Sequence, residues 1–378
     1  MIGGGWQPTA AQEALLEVAV GPEAGVAEAW RQWRAGLGNI DPAAVDAGSA
    51  RILPLLKPRL ALLPHDDPAL PWIIGSYRRA LYHGRLLRAR AASALTLFGD
   101  AGIATMVSKG GVLGDVYYGD VGLRPMNDFD VLVPHEQAAD AVGLLVRSGW
   151  RSVQPMPELL PDAYHSACFQ SPDRIDFDLH WHLVPEACFA GADDPAWQAS
   201  QPHAVDGVPT RAPCATDLLT IVCAHAAPWS PVSPARWVAD AVMIMRRSAN
   251  RIDWERVVML AERWHVVLHL RDTLNYLARR WGADVPQRSL AAVDRLLIDR
   301  IDRRAYASLG RMPDHLTYLS RPWLRYRLRT RERSALRALP GFAAYLRITL
   351  GHASTRGLPV EVVRRYRRWR SDRAHRRR

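Results

Sequence analysis

Two short segments far apart in the chain share an unusual alternation of acids and apolar residues. In Asp128-Phe129-Asp130-Val131, side chains of an extended chain point to opposite faces in turn, so Asp128 and Asp130 project together while Phe129, Val131 and Val133 face the other way. In Ile175-Asp176-Phe177-Asp178-Leu179-His180-Trp181-His182, Asp176, Asp178, His180 and His182 share one face, and Ile175, Phe177, Leu179 and Trp181 the other. Two neighbouring strands that both present carboxylates on one face are costly. Like charges held close repel, and one acid takes up a proton unless a cation compensates. Oxygen-rich carboxylate clusters suit Mg²⁺ or Mn²⁺, which bind phosphate oxygens at the same time.

The rest of the chain frames these strands. Residues 9–98 carry apolar positions at helical spacing, and Gly99-Asp100-Ala101-Gly102 breaks the run. A short apolar strand, Ile103 to Val107, then leads to Lys109-Gly110-Gly111, a turn-rich loop from Gly119 to Asn127, the Asp128–Val133 strand, and an amphipathic helix after Pro134. Further strands are expected at 150–153, 164–170 and 174–183, and helices again from Asp217 to about residue 310. This is an α+β protein: a small mixed β-sheet core flanked by N-terminal and C-terminal helical regions. The expected divisions are residues 1–100, 101–213, 214–320, and an Arg-rich helical extension and tail at 321–378.

Charge is distributed unevenly. The chain of 378 residues has a net charge of +11, but residues 321–378 hold eighteen Arg against three acids, a net of +15, so the preceding 320 residues carry −4. The basic character belongs to the tail, where Arg interleaved with Tyr366 and Trp369 could track a nucleic-acid backbone or an anionic surface, or simply be solvated. Lys57 and Lys109 are the only lysines against 47 Arg, which singles out Lys109. The four cysteines, Cys168, Cys188, Cys214 and Cys223, show no C-x-x-C spacing and read as reduced thiols of a cytoplasmic protein. No secretory signal pattern and no apolar run of membrane-spanning length are expected.

The central segment joins these parts into one chemistry. Lys109-Gly110-Gly111 ends a strand and opens a helix, where glycines permit close approach and helix-start N–H groups favour an anion. Arg124, four residues before Asp128, can offer a phosphate a forked donor or serve as the partner of a nearby acid. A glycine turn, a fixed cation and carboxylate strands together suit metal-assisted attack on a nucleoside triphosphate. Phosphate-loop, nucleophile-elbow and H-E-x-x-H patterns are absent, as is a Cys/His set at zinc spacing.

Residues 109–133, KGGVLGDVYYGDVGLRPMNDFDVLV, resemble the signature of an uncharacterised bacterial nucleotidyltransferase family in the polymerase-beta-like superfamily. Gly149-Trp150 and Asp178-Leu179-His180-Trp181 follow in that family's order, as do LLTIVCAHAA at 218–227, Arg236-Trp237-Val238-Ala239-Asp240 and Ile252-Asp253-Trp254. The resemblance covers about residues 100–285. It implies that Asp128 and Asp130 ligate Mg²⁺, that Asp178 is the third carboxylate, either a ligand or the acceptor of a hydroxyl proton, and that Gly110 and Gly111 hold the triphosphate. Asp176 shares the face of Asp178 but has no match in the motif. His180 either orients a carboxylate or phosphate or is structural; Tyr117 and Tyr118 either stack a base or pack beneath the loop; Asp240 anchors a helix. The lysine-first turn is also similar to that of AbiEii-type nucleotidyltransferase toxins. The implied activity transfers a nucleoside monophosphate from an NTP, ATP among them, to a hydroxyl of a small molecule, peptide or protein, with release of pyrophosphate. A toxin-like transferase acting on RNA or tRNA 3′ ends, and a catalytically idle nucleotide-binding scaffold, stand as alternatives.

Overall fold

The computed structural model describes residues 5–37, 45–153, 164–227, 230, 232–309, 314–331, 333–351 and 354–375. The final arginines of the tail, Arg376 to Arg378, fall outside the described residues. The fold is α+β, with a seven-stranded mixed sheet between helical regions. Its strands are β1 (Met106–Val107), β2 (Asp130–Leu132), β3 (Arg151–Ser152), β4 (Ser166–Gln170), β5 (Asp176–His180), β6 (Gln201–Val205) and β7 (Val208–Ala212). The order across the sheet is β3-β4-β5-β2-β1-β7-β6. The β2–β5 and β1–β7 pairs are parallel and the others antiparallel.

The alternation seen in the sequence is what seats this sheet. Phe177 and Leu179 are buried, and Phe177 meets Phe98 and Trp150 at ring distances of 6.4 and 5.3 Å. Phe98 lies near the end of the long helix Leu70–Asp100, which ends where the glycine-rich break stands and lies against β5, β6 and β7. The opposite face of β5 carries Asp176, Asp178 and His180. Burial of Phe177 and Leu179, each about 1.5–3 kcal/mol, therefore fixes which way the acids point.

The strands are shorter than the sequence suggests, and one pair was not anticipated. β6 and β7 form a hairpin closed by Asp206-Gly207, both at positive φ (48° and 85°), as a two-residue hairpin turn requires. An Asp-Gly pair between two extended runs is the signal that would have found it.

Helices Ala215–Ala226, Arg236–Ser248, Trp254–Arg263, Val267–Trp281 and Gln287–Arg295 pack on one another beyond the sheet. The N-terminal helix Ala10–Val20, capped reciprocally by Thr9 and Gln12, closes onto Arg236–Ser248. There Trp6, Trp237 and Tyr276 cluster, and Glu13 accepts from Tyr276 at 2.8 Å and Arg280 at 3.0 Å. One continuous core runs from the N-terminal helices through the sheet to residue 293. The helices after Leu309 form a separate small core around Tyr326, Ala338 and Tyr345. Among the described residues no helix is long and apolar enough to cross a membrane.

Candidate active site

Strand pairing brings the acids together. In the parallel β2–β5 pair, Asp130 lies opposite Asp178 and Leu132 opposite His180. The pairing reaches back one residue, where the Asp178 N–H donates to the Phe129 carbonyl at 3.0 Å. Asp128 precedes β2 and stands exposed at the rim, while Asp130 is buried and Asp178 partly so. Asp176 lies one step further out, with its carboxylate accepting from Gln170 at 2.8 Å.

Two cations hold the inner acids. Lys109 donates from Nζ to Asp130 Oδ1 at 2.9 Å. His180 Nε2 lies between the strands, 3.0 Å from Asp130 Oδ1 and 3.0 Å from Asp178 Oδ2. Burial would raise the Asp130 carboxyl, but the Lys109 and His180 charges outweigh it and hold the group far below the usual carboxylate range. Asp178 is likewise held low, against its burial, chiefly by His180. Burial alone would discharge His180; the Asp178 carboxylate reverses that and carries the imidazole up to about 9. Asp128 has no such partner, so crowding by protein and the charges of Asp130 and Asp178 push its carboxyl up. The inner pair thus stays ionised, and the third acid marks an excess of negative charge at the rim. Ligand atoms of Asp130, Asp178 and His180 lie within 4.8 Å of one another, the one such group of metal-binding type among the described residues.

The turn ahead of these strands is backbone-strained. Lys109 adopts φ 42° and ψ −111°, outside the regions L-residues favour, at a cost of about 1–3 kcal/mol. The conformation aims its side chain at Asp130 while its carbonyl starts the short helix by accepting from Val112 and Leu113 at 3.2 and 2.9 Å. Gly110 and Gly111 are required here by close packing of the protein itself. A β-carbon on Gly110 would come within 2.5 Å of Met126 Sδ and 2.7 Å of Arg124 Nη1. One on Gly111 would come within 2.3 Å of Val107 Cγ1 and 2.7 Å of Phe129 Cζ. The Gly111 N–H donates to Ser108 at 3.1 Å.

Arg124 has a different immediate partner from a phosphate. Its fork closes on Asp240, Nε to Oδ1 at 2.9 Å and Nη2 to Oδ2 at 2.8 Å, with both side chains buried. Tyr118 donates to the same Oδ1 at 2.9 Å. Asp240, read from the sequence as a helix anchor, thus ties the helix Arg236–Ser248 to the loop that leads into Asp128. Tyr117 and Tyr118 are both buried beneath that loop, so neither presents a face for a base.

Asp128, Asp130, Asp178, Lys109 and His180 are therefore gathered at one place, with Gly110 and Gly111 forming the adjoining turn. Two further histidines stand nearby. The His165 ring is 5.5 Å from that of His180, and His225 is pushed down to about 3 by burial and by the Lys109 charge. His182 turns instead to Asp193, at 2.9 Å. His165, His180, His182 and His225 have no metal-ligand spacing along the chain, and of the other three it is His165 and His225, on separate elements, that the fold brings near His180.

A model of a family of uncharacterised nucleotidyltransferases matches residues 47–282. No curated protein matches the chain. Among solved structures, that of the antibiotic-resistance factor ANT(2'')-Ia in solution is similar over 50% of this chain and 93% of its own, at 18% identity and a TM-score of 0.31.

Proposed function

The chain belongs to that family of uncharacterised nucleotidyltransferases, and from this premise we propose that it transfers a nucleoside monophosphate from an NTP to a hydroxyl of a small molecule, peptide or protein. The observation that carries the reading is the side-by-side placement of Asp130 and Asp178 in neighbouring parallel strands, with Asp128 at the rim above them. The donor set fits a divalent cation: carboxylate oxygens converge, and three acids face two protein cations. Asp128, Asp130 and Asp178 would hold Mg²⁺ or Mn²⁺, which when bound supplies charge neutralisation and polarisation of phosphate oxygens.

The protein's own groups supply position and charge. Lys109, about one-fifth exposed, brings an ammonium to the mouth of the acidic face, where triphosphate charge would be countered. His180 fixes the Asp178 carboxylate by its bond to Oδ2, leaving the other oxygen either to hold the cation or to receive the acceptor's proton. The new bond joins the acceptor oxygen to the α-phosphorus, and the bond from that phosphorus to the bridging oxygen breaks. Its electron pair leaves with pyrophosphate.

The buried Arg124–Asp240 pair holds the loop that enters Asp128, so Arg124 acts on the site through position even where it does not touch phosphate. Residues 101–213 form the proposed transferase core, sharing one continuous hydrophobic core with the helices on either side.

The test is incubation with each α-labelled triphosphate, Mg²⁺ and cell extract, followed by separation into small-molecule, protein and RNA fractions. Label should move into the small-molecule or protein fraction with wild type and not with Asp130→Asn. Label in RNA would favour the toxin-like reading. Equal labelling by wild type and Asp130→Asn would overturn the assignment of the site.

A further inference from the structure

The most basic part of the molecule lies outside the matched stretch, which ends at residue 282. Three helices, His315–Arg329, Ala335–Thr349 and Leu358–His375, form a module with its own small core of Tyr326, Ala338 and Tyr345. It is fastened to the body by Arg331 on Asp302 at 3.1 Å and by Arg329 over the Tyr164 ring at 5.6 Å. So small a core leaves apolar residues uncovered, and their placement is ordered.

On the middle helix Leu336, Leu339, Pro340 and Ala343 are all exposed. Their spacing of three, four and seven residues makes one stripe, flanked by the exposed Arg333 and Arg337. Leu336 is 78% exposed and Leu339 53%. On the last helix Val360, Val363 and Arg367 are exposed on one stripe, and Arg364 beside them pairs with Glu361 at 3.2 Å. On the first helix Leu316 and Leu319 are exposed three residues apart.

The aromatic residues take the opposite course. Tyr318 stacks on Trp369 at 4.6 Å, the Tyr366 hydroxyl meets His315 Nδ1 at 2.6 Å, and Trp323 and Phe342 pack on the small core. A surface that grips single-stranded nucleic acid presents aromatic faces to bases. Here the aromatics face one another, and aliphatic side chains stand outward among arginines. That combination matches a surface of negative headgroups over hydrocarbon, where long basic side chains reach the headgroups and aliphatic ones enter the acyl boundary.

We propose that the module formed by residues 314–375 is a peripheral docking surface for an anionic lipid bilayer, seated by the Leu336–Leu339 stripe and the arginines that flank it, Arg333 and Arg337. It would hold the transferase at a membrane face without spanning it, and it stands independently of the catalytic reading.

The test is co-sedimentation of the full chain with phosphatidylcholine vesicles prepared with and without phosphatidylserine. Wild type should bind the phosphatidylserine vesicles, less well as salt rises, and not those of phosphatidylcholine alone. Leu336→Asn with Leu339→Asn should weaken binding about tenfold or more with the chain still folded in a thermal melt, because Leu336 is mostly and Leu339 half exposed to water. Arg333→Gln with Arg337→Gln should weaken it separately. The proposal is overturned if wild type ignores phosphatidylserine vesicles, or if the Asn pair binds them as well as wild type does. It is also overturned if wild type forms a dimer that the Asn pair dissolves, which would make a second copy the occupant. Binding of single-stranded RNA in preference to vesicles, indifferent to the leucines, would overturn it in favour of nucleic acid.

Discussion

Truncating Asp240 should destabilise this protein more than removing any exposed acid around the site. Asp240 is buried, accepts both arms of the Arg124 fork at 2.9 and 2.8 Å, and accepts from Tyr118 at 2.9 Å. Arg236 stands 3.8 Å from the same carboxylate, and its charge is already weakened to about 10 by burial and by Arg124. Asp240→Ala therefore leaves the buried Arg124 guanidinium beside that of the partly buried Arg236 with their shared counter-charge gone. Breaking one partner of a buried ion pair costs about 3–5 kcal/mol. Hydrogen bonds to charged groups, about 1.5–3 kcal/mol each, give the same order when counted separately. The second guanidinium places the expected loss at the upper end, about 4–5 kcal/mol, a large part of the about 5–15 kcal/mol by which domains are stable. Asp240→Asn, which keeps an acceptor oxygen and the shape, should lose about half as much.

Urea unfolding followed by tryptophan fluorescence measures this, with the midpoint shifting and the slope unchanged. A chain of this length need not unfold in one step, so amide exchange across residues 110–118 supplies a local readout of the same tie. The double variant Asp240→Leu with Arg124→Met removes both halves of the pair and should be less damaged than the sum of the two single changes by about 2 kcal/mol or more. A loss below about 1 kcal/mol for Asp240→Ala, or simple additivity in the double variant, would refute the argument that the pair is closed and buried.

Gly111→Ala should destabilise by about 1–3 kcal/mol, because its β-carbon would meet Val107 Cγ1 at 2.3 Å and Phe129 Cζ at 2.7 Å; a thermal melt equal to wild type would contradict this packing. Chelation of divalent cations should abolish nucleotide transfer while leaving the circular dichroism spectrum unchanged, and Mg²⁺ or Mn²⁺ should restore it; full transfer in the presence of chelator would remove the metal from the reading. Lys109→Met should lower transfer by an order of magnitude or more by removing the ammonium on Asp130, checked by initial rates under saturating triphosphate; an unchanged rate would confine Lys109 to a structural role.

The facing of side chains was legible from alternation alone, whereas their partners were not. Period two assigns Asp176, Asp178 and His180 to one face of β5 and Asp128 and Asp130 to one face of the chain entering β2. A slip of two residues in the β2–β5 pairing would keep all those faces while setting Asp130 opposite Asp176. What selects Asp178 is the register in which Val131 meets Leu179 and Leu132 meets His180, and that depends on how the intervening helix and strands return the chain. Lys109 was legible for a different reason: in a chain whose other cations are almost all arginine, one lysine beside a glycine turn stands out.

Arg124 shows where such inference changes hands. Distance along the sequence places it four residues from Asp128, and a guanidinium so near two acids is naturally read as a phosphate donor. Its partner in the fold is 116 residues away, on a helix that the intervening strands and Ala215–Ala226 must first place. A buried guanidinium needs a fixed carboxylate more than a surface one does, because desolvation makes an unpaired charge intolerable. Burial, which the sequence does not state, thus decides between clamp and tie. The outcome still bears on catalysis. Arg124 Nη1 stands where a β-carbon of Gly110 would come within 2.7 Å of it, so the pair that fastens the helical region also packs the turn from which Lys109 reaches Asp130. In this enzyme the helices beyond the sheet are part of what positions the acidic face, and a truncated core of residues 101–213 would leave Arg124 without its counter-charge and the loop before Asp128 without its tie.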